Sequence, residues 1–321
     1  MFVGITNTPR DYAWGSTTAI PALLGTAASG GPEAELWLGD HPGSPARLVG
    51  RPGTLRDVEA APLPFLLKVL AAAQPLSLQA HPDAAQARAG FAAEEAAGIP
   101  RDAPERNYRD ASHKPELIYA LRDGFRALSG FRPVEQTRTL LEPVAGDARI
   151  APLLERLVDD GSLREVFSWL ISRGDGVDEL VAAIVESSAV ADDVSWDTVR
   201  RLSDAYPGDP GIAISLLLHT IVLKRGEALY LRAGNVHAYL EGVGVELMAS
   251  SDNVLRGGLT VKHVDVPELL NVLDFTPLPV PYLRAVSDGP TADVFRPNVR
   301  DFELVHVTGD ASLPLASDAI V

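Results

Sequence analysis

Apolar and polar positions change their period several times along the chain. Over residues 1–82 they alternate in short bursts. "EAELWLGDHPGSPARLVG" and "LPFLLKVL" are apolar runs closed by Gly, Pro and Asp, which is the punctuation of strands. "PLSLQAHPD" is the clearest of these. Leu76, Leu78 and Ala80 alternate with Ser77, Gln79 and His81, so a strand over 76–81 has one apolar face and one carrying a hydroxyl, an amide and an imidazole. Residues 83–99 switch to an Ala-rich helix, capped by Asp83 and ended by Gly98 and Pro100. "HKPELIYAL" and "FRALSGF" return to alternation. From about 133 to 212, "VEQTRTLLEPV", "IAPLLERLVDD", "SLREVFSWLISR" and "VDELVAAIVES" space their apolar residues by three and four, as helices do. "SWDTVRRLSDAYPGDPG" continues them, with Ser195 as its cap. Strand texture resumes at "AISLLLHTIVLKRGEALYLRAGNVHAYLEGVGVELMASS", where Gly and charged pairs supply the turns. After residue 266, "NVLDFTPLPVPYLRAVSDG" and "FELVHVTG" read as further strands.

These textures predict a mainly β chain in which strands flank an inserted all-α module, and hence a barrel or jelly roll closed by distant sequence. With 321 residues there is room for two or three domains. A net charge of −15 argues against nucleic acid or an anionic membrane as partner. It leaves room for a small phosphorylated ligand, which answers to a few local cations. The chain has no cysteine. Disulfides, thiolate nucleophiles and sulfur-bound zinc are therefore excluded, and any metal must be held by nitrogen and oxygen. The opening "MFVGITNTPRDYAWGS" lacks a basic region followed by an apolar stretch, and "IAISLLLHTIVL" is short for a span and broken by His219. The expectation is a cytoplasmic, monomeric protein with no membrane partner.

Gln79 and His81, at i and i+2, point to one side of their strand and can reach one ion. Alone, such a histidine is more often a satisfied polar residue than a ligand. Two further stretches add to it. "HKPEL" offers Glu116, with Lys114 on the same strand face, and "AGNVHAYLEG" offers His237, flanked on its face by Asn235 and Tyr239. Two imidazoles, a carboxylate and an amide form a nitrogen and oxygen set suited to catalytic zinc. A plainer reading stays open at this point: His81 precedes proline and could merely stop a strand, and His237 could pack on Tyr239. His41 and His219 read as structural, and His263 and His306 have no spacing to a partner.

The stretches "YAWGS", "AELWLGDHP", "LPFLLKVL", "PLSLQAHPD", "HKPEL", "LSGFRPVEQ", "AGNVHAYLEG" and "SSDNVLRGGLT" occur in this order over roughly residues 1 to 275. Together they resemble type I mannose-6-phosphate isomerase. The resemblance implies cupin jelly-roll barrels, one zinc ion, and interconversion of mannose 6-phosphate and fructose 6-phosphate. It also implies a metal-binding catalytic cupin domain over 1–132 plus 213–265 and a helical insertion over 133–212. A C-terminal jelly roll over 266–321 reads as incomplete, because the chain stops at "LPLASDAIV", an apolar run resembling the start of a strand.

Carried over position by position, the implied zinc ligands are Gln79, His81, Glu116 and His237, and Arg256 is the implied active-site residue. An aldose–ketose isomerisation moves a proton from C2 to C1 through an enediol. A guanidinium is suited to stabilising its oxyanions rather than to removing the proton. Gly257 and Gly258 beside Arg256 would let backbone approach a ligand. Lys114, His113 or a water molecule could carry the proton. Lys262, Lys68 and Ser77 are candidates for the phosphate or a sugar hydroxyl, Lys68 because a lysine in an apolar strand is costly unless paired. Asp252 is a candidate to orient one of these cations. The alternative is a metal-dependent cupin that binds a phosphosugar without turning it over. The pair Lys114 and Arg256 argues for turnover.

Overall fold

A computed structural model describes residues 3–189, 193–312 and 319–320. Its N-terminal part contains β1 (Ile5–Thr6), α1 (Ala19–Leu24), β2 (Glu35–Leu38), β3 (Arg47–Leu48), β4 (Phe65–Ala72) and β5 (Gln79–Ala80). Helix α2 (Ala84–Ala96) follows. Its Asp83 cap accepts the N–H groups of Ala85 and Gln86, and Gly98 turns the chain with φ +70°, as the pattern predicts. Strands β6 (Glu116–Ala120) and β7 (Phe125–Phe131) then lead into six helices: α3 (Val134–Leu141), α4 (Ala151–Arg156), α5 (Leu163–Ile171), α6 (Val177–Ser187), α7 (Val194–Ala205) and α8 (Gly211–Ser215). The chain returns to strands at β8 (Leu218–Leu223), β9 (Ala228–Leu231), β10 (His237–Ala249) and β11 (Leu255–Arg256). Helix α9 (Val266–Val272) and strands β12 (Tyr282–Leu283), β13 (Val286–Ser287), β14 (Ala292–Phe295) and β15 (Leu304–Val307) complete it.

Strand β10 organises the jelly roll. Its second half, from Gly242, pairs with β4 on one side and β6 on the other. Its first half pairs with β7 and, at His237, with β5. One sheet thus runs β2–β4–β10–β6–β9–β12, the other β11–β5–β10–β7–β8, and β10 belongs to both. The crossing point is a register shift between Tyr239 and Glu241, followed by Gly242 at φ +127°. A Cβ on Gly242 would lie 2.7 Å from the Cα of Phe125, so only glycine lets the strand bend there. The expectation that the glycines of "LEGVGVELM" supply turns is therefore corrected: they let one long strand change sheets.

The inner faces meet in a core of Leu70, Ile118, Phe125, Ile221, Leu229 and Tyr239. The helices back the second sheet, and Phe131, Phe167, Trp196 and Leu218 share one apolar cluster with Leu78, Ala80, Leu128 and Leu255. The outer face of the first sheet (Leu117, Tyr119 and Leu247) is covered by Phe295 and Phe302, while α1 covers Leu36 and Ala71.

Local readings shift in four places. The strand read over 76–81 is regular only at Gln79–Ala80, though Leu76 and Leu78 still donate to Tyr239 and Gly258. Helix α7 is capped by Asp193 rather than Ser195, which is buried inside the first turn. "GIAIS" is a helical turn started by Pro210 and Asp209, whose Oδ1 accepts the Gly211 N–H; its uniformly apolar burial hides the period. Helix α9, capped by Asp265, stands where strands are expected. Most of "LPLASDAIV" lies outside the described residues.

Candidate active site

Glu116 opens β6 immediately after Pro115, His237 opens β10, and His81 directly follows β5. Their donor atoms lie within 4.8 Å of one another, and each side chain is about 1 % exposed. His81 Nε2 stands 3.2 Å from Glu116 Oε1, and His237 Nε2 stands 3.3 Å from Glu116 Oε2. The other ring nitrogens settle the tautomers. His81 Nδ1 is 2.8 Å from the carbonyl of Asn253, and His237 Nδ1 is 3.0 Å from that of Asn235. A carbonyl only accepts, so both Nδ1 atoms carry a proton, and the neutral form of each ring presents its Nε2 lone pair toward Glu116.

Burial pushes His81 down to about 4, so its imidazole is neutral near pH 7. Burial opposes the charge of Glu116, yet the neighbouring Lys114 ammonium holds its carboxyl well below the usual range. Both Nε2 atoms and Glu116 Oε2 are buried without a hydrogen-bond donor. Lone pairs converging with no proton between them require a cation, and two histidines plus a carboxylate suit zinc. These residues fit the implied metal.

Gln79 enters from the register. On β5 it is the direct partner of His237 on one side and of Arg256 on the other, so the three side chains leave the sheet on one face. Its amide makes no hydrogen bond among the described residues. Lys114 Nζ is 2.9 Å from Glu116 Oε1. Arg256 is half-buried. Ser77 is half-buried two residues before β5, and Lys262 is exposed on the loop after β11. The glycines beside Arg256 have a role other than the one expected. Gly258, at φ +108°, sits against the backbone of Gly211, and Gly257 has Leu269 and Leu78 around it. They shape the loop.

Lys68 is the clearest departure from the sequence reading. Its Nζ is 2.8 Å from Glu246 Oε2 and 4.0 Å from Glu35 Oε1, over the ring of Trp37. Burial works against its charge, but the two carboxylates outweigh it and raise its pKa. The cost of burying this lysine is thus met inside the barrel rather than by a phosphate. Glu246 was missed although a signal existed. An acid in the apolar run "VGVELM" needs a partner by the same reasoning that singles out Lys68, and the two are cross-strand neighbours.

Arg109 was also missed, for it lies in an irregular segment with no period. Burial and Arg109 together lower the pKa of Arg256, and burial, Arg256 and Arg109 lower that of Lys262. Three cations thus crowd one another, with no side-chain ion pair or hydrogen bond to any of them among the described residues. Asn253 anchors this corner: its Oδ1 accepts the N–H groups of Arg109 and Asp110, and its Nδ2 donates to the carbonyls of Asp110 and Ser112. Asp252 pairs with His41 rather than with a cation directly.

Comparison with known proteins agrees with this geometry. The family description "Phosphomannose isomerase type I, catalytic domain" matches residues 2–134. Mannose-6-phosphate isomerase of Escherichia coli K12 is 43% identical over 310 residues, spanning 89% of this chain and 79% of the relative. The human enzyme of that name is 34% identical over 350 residues, spanning 92% and 79%. The Salmonella typhimurium enzyme, solved with fructose 6-phosphate and zinc, superposes with a TM-score of 0.87 at 41% identity, covering 94% of this chain and 82% of its own. The chain belongs to the type I mannose-6-phosphate isomerase family.

Proposed function

We propose that this chain interconverts mannose 6-phosphate and fructose 6-phosphate in a zinc-dependent reaction. The observation that carries the reading is the convergence of the His81, His237 and Glu116 donor atoms on one point, with Arg256 two strands away from His237 on the same face. Gln79 is proposed as the fourth ligand. Zinc held there supplies Lewis-acid stabilisation for negative charge on the sugar oxygens.

The side chains divide the remaining work. The open-chain sugar loses its C2 proton, and the C2–H pair forms the C1–C2 double bond while the carbonyl pair moves to O1, which is protonated to give the enediol. O2 then gives up its proton, C2=O forms, and the carbon-bound proton is returned at C1. Arg256 presents fixed donors to the oxygens on which charge develops. Lys114, in contact with Glu116, is proposed to carry the proton between the two carbons. Arg109 and Lys262, with the Ser77 hydroxyl, are proposed to hold the phosphate, since cations that lower one another's pKa are stabilised by a ligand that brings negative charge. Asp252, with a half-exposed side chain close enough to Lys114 and Arg109 for their charges to lower its pKa against the effect of burial, is proposed to orient those cations toward the sugar. Lys68 is placed in support, balancing Glu246 beneath the ligand set.

The same proposal assigns catalysis to 1–132 plus 213–265, support of the second sheet to 133–212, and to the C-terminal unit of 266–321 the cover that Phe295 and Phe302 give the first sheet. It also places the enzyme in the cytoplasm as a monomer, which light scattering tests. Among the described residues no helix is long and apolar enough to cross a membrane. The function is tested by a proton NMR time course with mannose 6-phosphate. Chelation with EDTA is expected to abolish turnover and Zn²⁺ to restore it. Retained phosphosugar binding with no turnover by the zinc-loaded protein would make it a binding protein instead.

A further inference from the structure

His41 lies in the loop three residues after β2 (Glu35–Leu38), outside the ligand set and outside every role given above. It is 5 % exposed, and its ring meets Trp37 edge-on at 5.1 Å. The backbone N–H of Gly43 donates to its Nδ1 at 3.1 Å. A nitrogen that accepts carries no proton, so the ring proton of the neutral imidazole is on Nε2. That atom lies 3.4 Å from Asp252 Oδ2. The environment keeps the ring in place, because a Cβ on Gly43 would come within 3.2 Å of Nδ1 and 3.4 Å of Trp37. Asp252 is otherwise tied by its backbone N–H to Asp110. Its side chain is 47 % exposed, and its second carboxylate oxygen has no partner among the described residues.

We propose that His41 is a positioning residue for the isomerase: a buried imidazole, locked as the Nε2–H tautomer by Gly43, that holds one oxygen of Asp252 so that the other faces Lys114, Arg109 and the bound sugar. This rests on the function proposed above. A half-exposed aspartate at a turn explores several rotamers, whereas a donor fixed by packing leaves it one orientation, and orientation of a group that meets the substrate affects kcat more than binding.

The test compares His41→Phe, which keeps ring volume without the donor, and His41→Gln, whose amide nitrogen can stand where Nε2 stands. Both are assayed with mannose 6-phosphate, in the native and the Asp252→Asn backgrounds. His41→Phe should lower kcat about tenfold with KM within about twofold and zinc content unchanged, and His41→Gln should recover at least about a third of the lost rate. In the Asp252→Asn background, His41→Phe should cost less than about twofold more. Nitrogen NMR of histidine-labelled protein, which needs no His41 variant, should show an Nε2–H tautomer whose signal shifts in Asp252→Asn. A full-strength loss from His41→Phe in both backgrounds, an unaffected rate, or an Nδ1–H tautomer overturns the proposal. If His41→Phe does not fold, His41→Gln and the NMR decide. An unaltered chain that holds zinc but does not turn over mannose 6-phosphate removes the reading beneath it, whereas additivity in an active enzyme removes only the role of His41.

Discussion

His81 and Arg256 show how one local surface sets two different chemistries. His81 is stripped of water, so its charged form is disfavoured; Arg256 stays a cation with no side-chain ion pair among the described residues. Near pH 6.5 an unfolded chain's imidazole takes up a proton, whereas His81 in the zinc-free fold takes one only at about 4. Between those values the unfolded state binds a proton that the folded state refuses. The contribution of His81 is therefore complete above pH 6.5 and is lost as pH falls to 4, by at most about 3 kcal/mol. Urea midpoints of EDTA-treated protein and of a His81→Asn variant at pH 7.5 and 4.5 measure it. The unaltered chain should lose more than the variant, and parallel losses would refute the assignment. At the same scale, Arg256→Ala should keep zinc near one per chain while lowering kcat by about 10²-fold or more. Arg109→Ala should raise KM by about tenfold and leave kcat nearly unchanged. Metal analysis with steady-state kinetics separates the two.

Among elements, β10 carries the most weight, because it supplies His237 to one sheet and Glu246 to the other. Its bend is what lets both reach one interior. Gly242→Ala places a methyl against Phe125 at a φ that L residues rarely adopt. It should destabilise the protein by about 2 kcal/mol or more and weaken zinc retention at the same time, since the crossing sets the distance between His237 and Glu116. A thermal melt and a zinc competition assay read the two effects, and a melt unchanged from the parent would contradict this account of the crossing. The periodic reading succeeded where burial is one-sided. Helix α2 and its Asp83 cap were legible, as was β7. It failed at α8 and α9, where apolar residues are buried on several sides or the segment is short, so that neither period of 2 nor of 3.6 stands out.

At the scale of the whole molecule, the strands that carry the candidate site are held from behind. The helices press on Leu78, Ala80 and Leu255, behind Gln79, His81 and Arg256. The segment after residue 284 presses Phe295 and Phe302 on Leu117 and Tyr119, next to Glu116, and Asp301 contacts His113 at 3.1 Å. Burying each such side chain is worth about 1.5–3 kcal/mol. A chain ending at residue 284 should therefore unfold at a lower urea concentration and bind the dye ANS, which reports exposed apolar surface. Equal midpoints for the two chains would show that this cover adds nothing.

The sequence by itself offered the candidate donors and bounded their chemistry. With no cysteine, a metal had to rest on imidazole, carboxylate and amide, and alternation placed Gln79 beside His81 and Lys114 beside Glu116. It also marked Lys68 as a residue in need of a partner. Only the tertiary structure decided that Glu246 is that partner, that Arg109 joins Arg256 and Lys262, that His41 meets Asp252, and that one strand unites the two sheets. The reason is range. Caps and alternation arise from neighbours a few positions apart, whereas residues 81, 116 and 237 meet through strand pairing across more than a hundred positions, which no local period records.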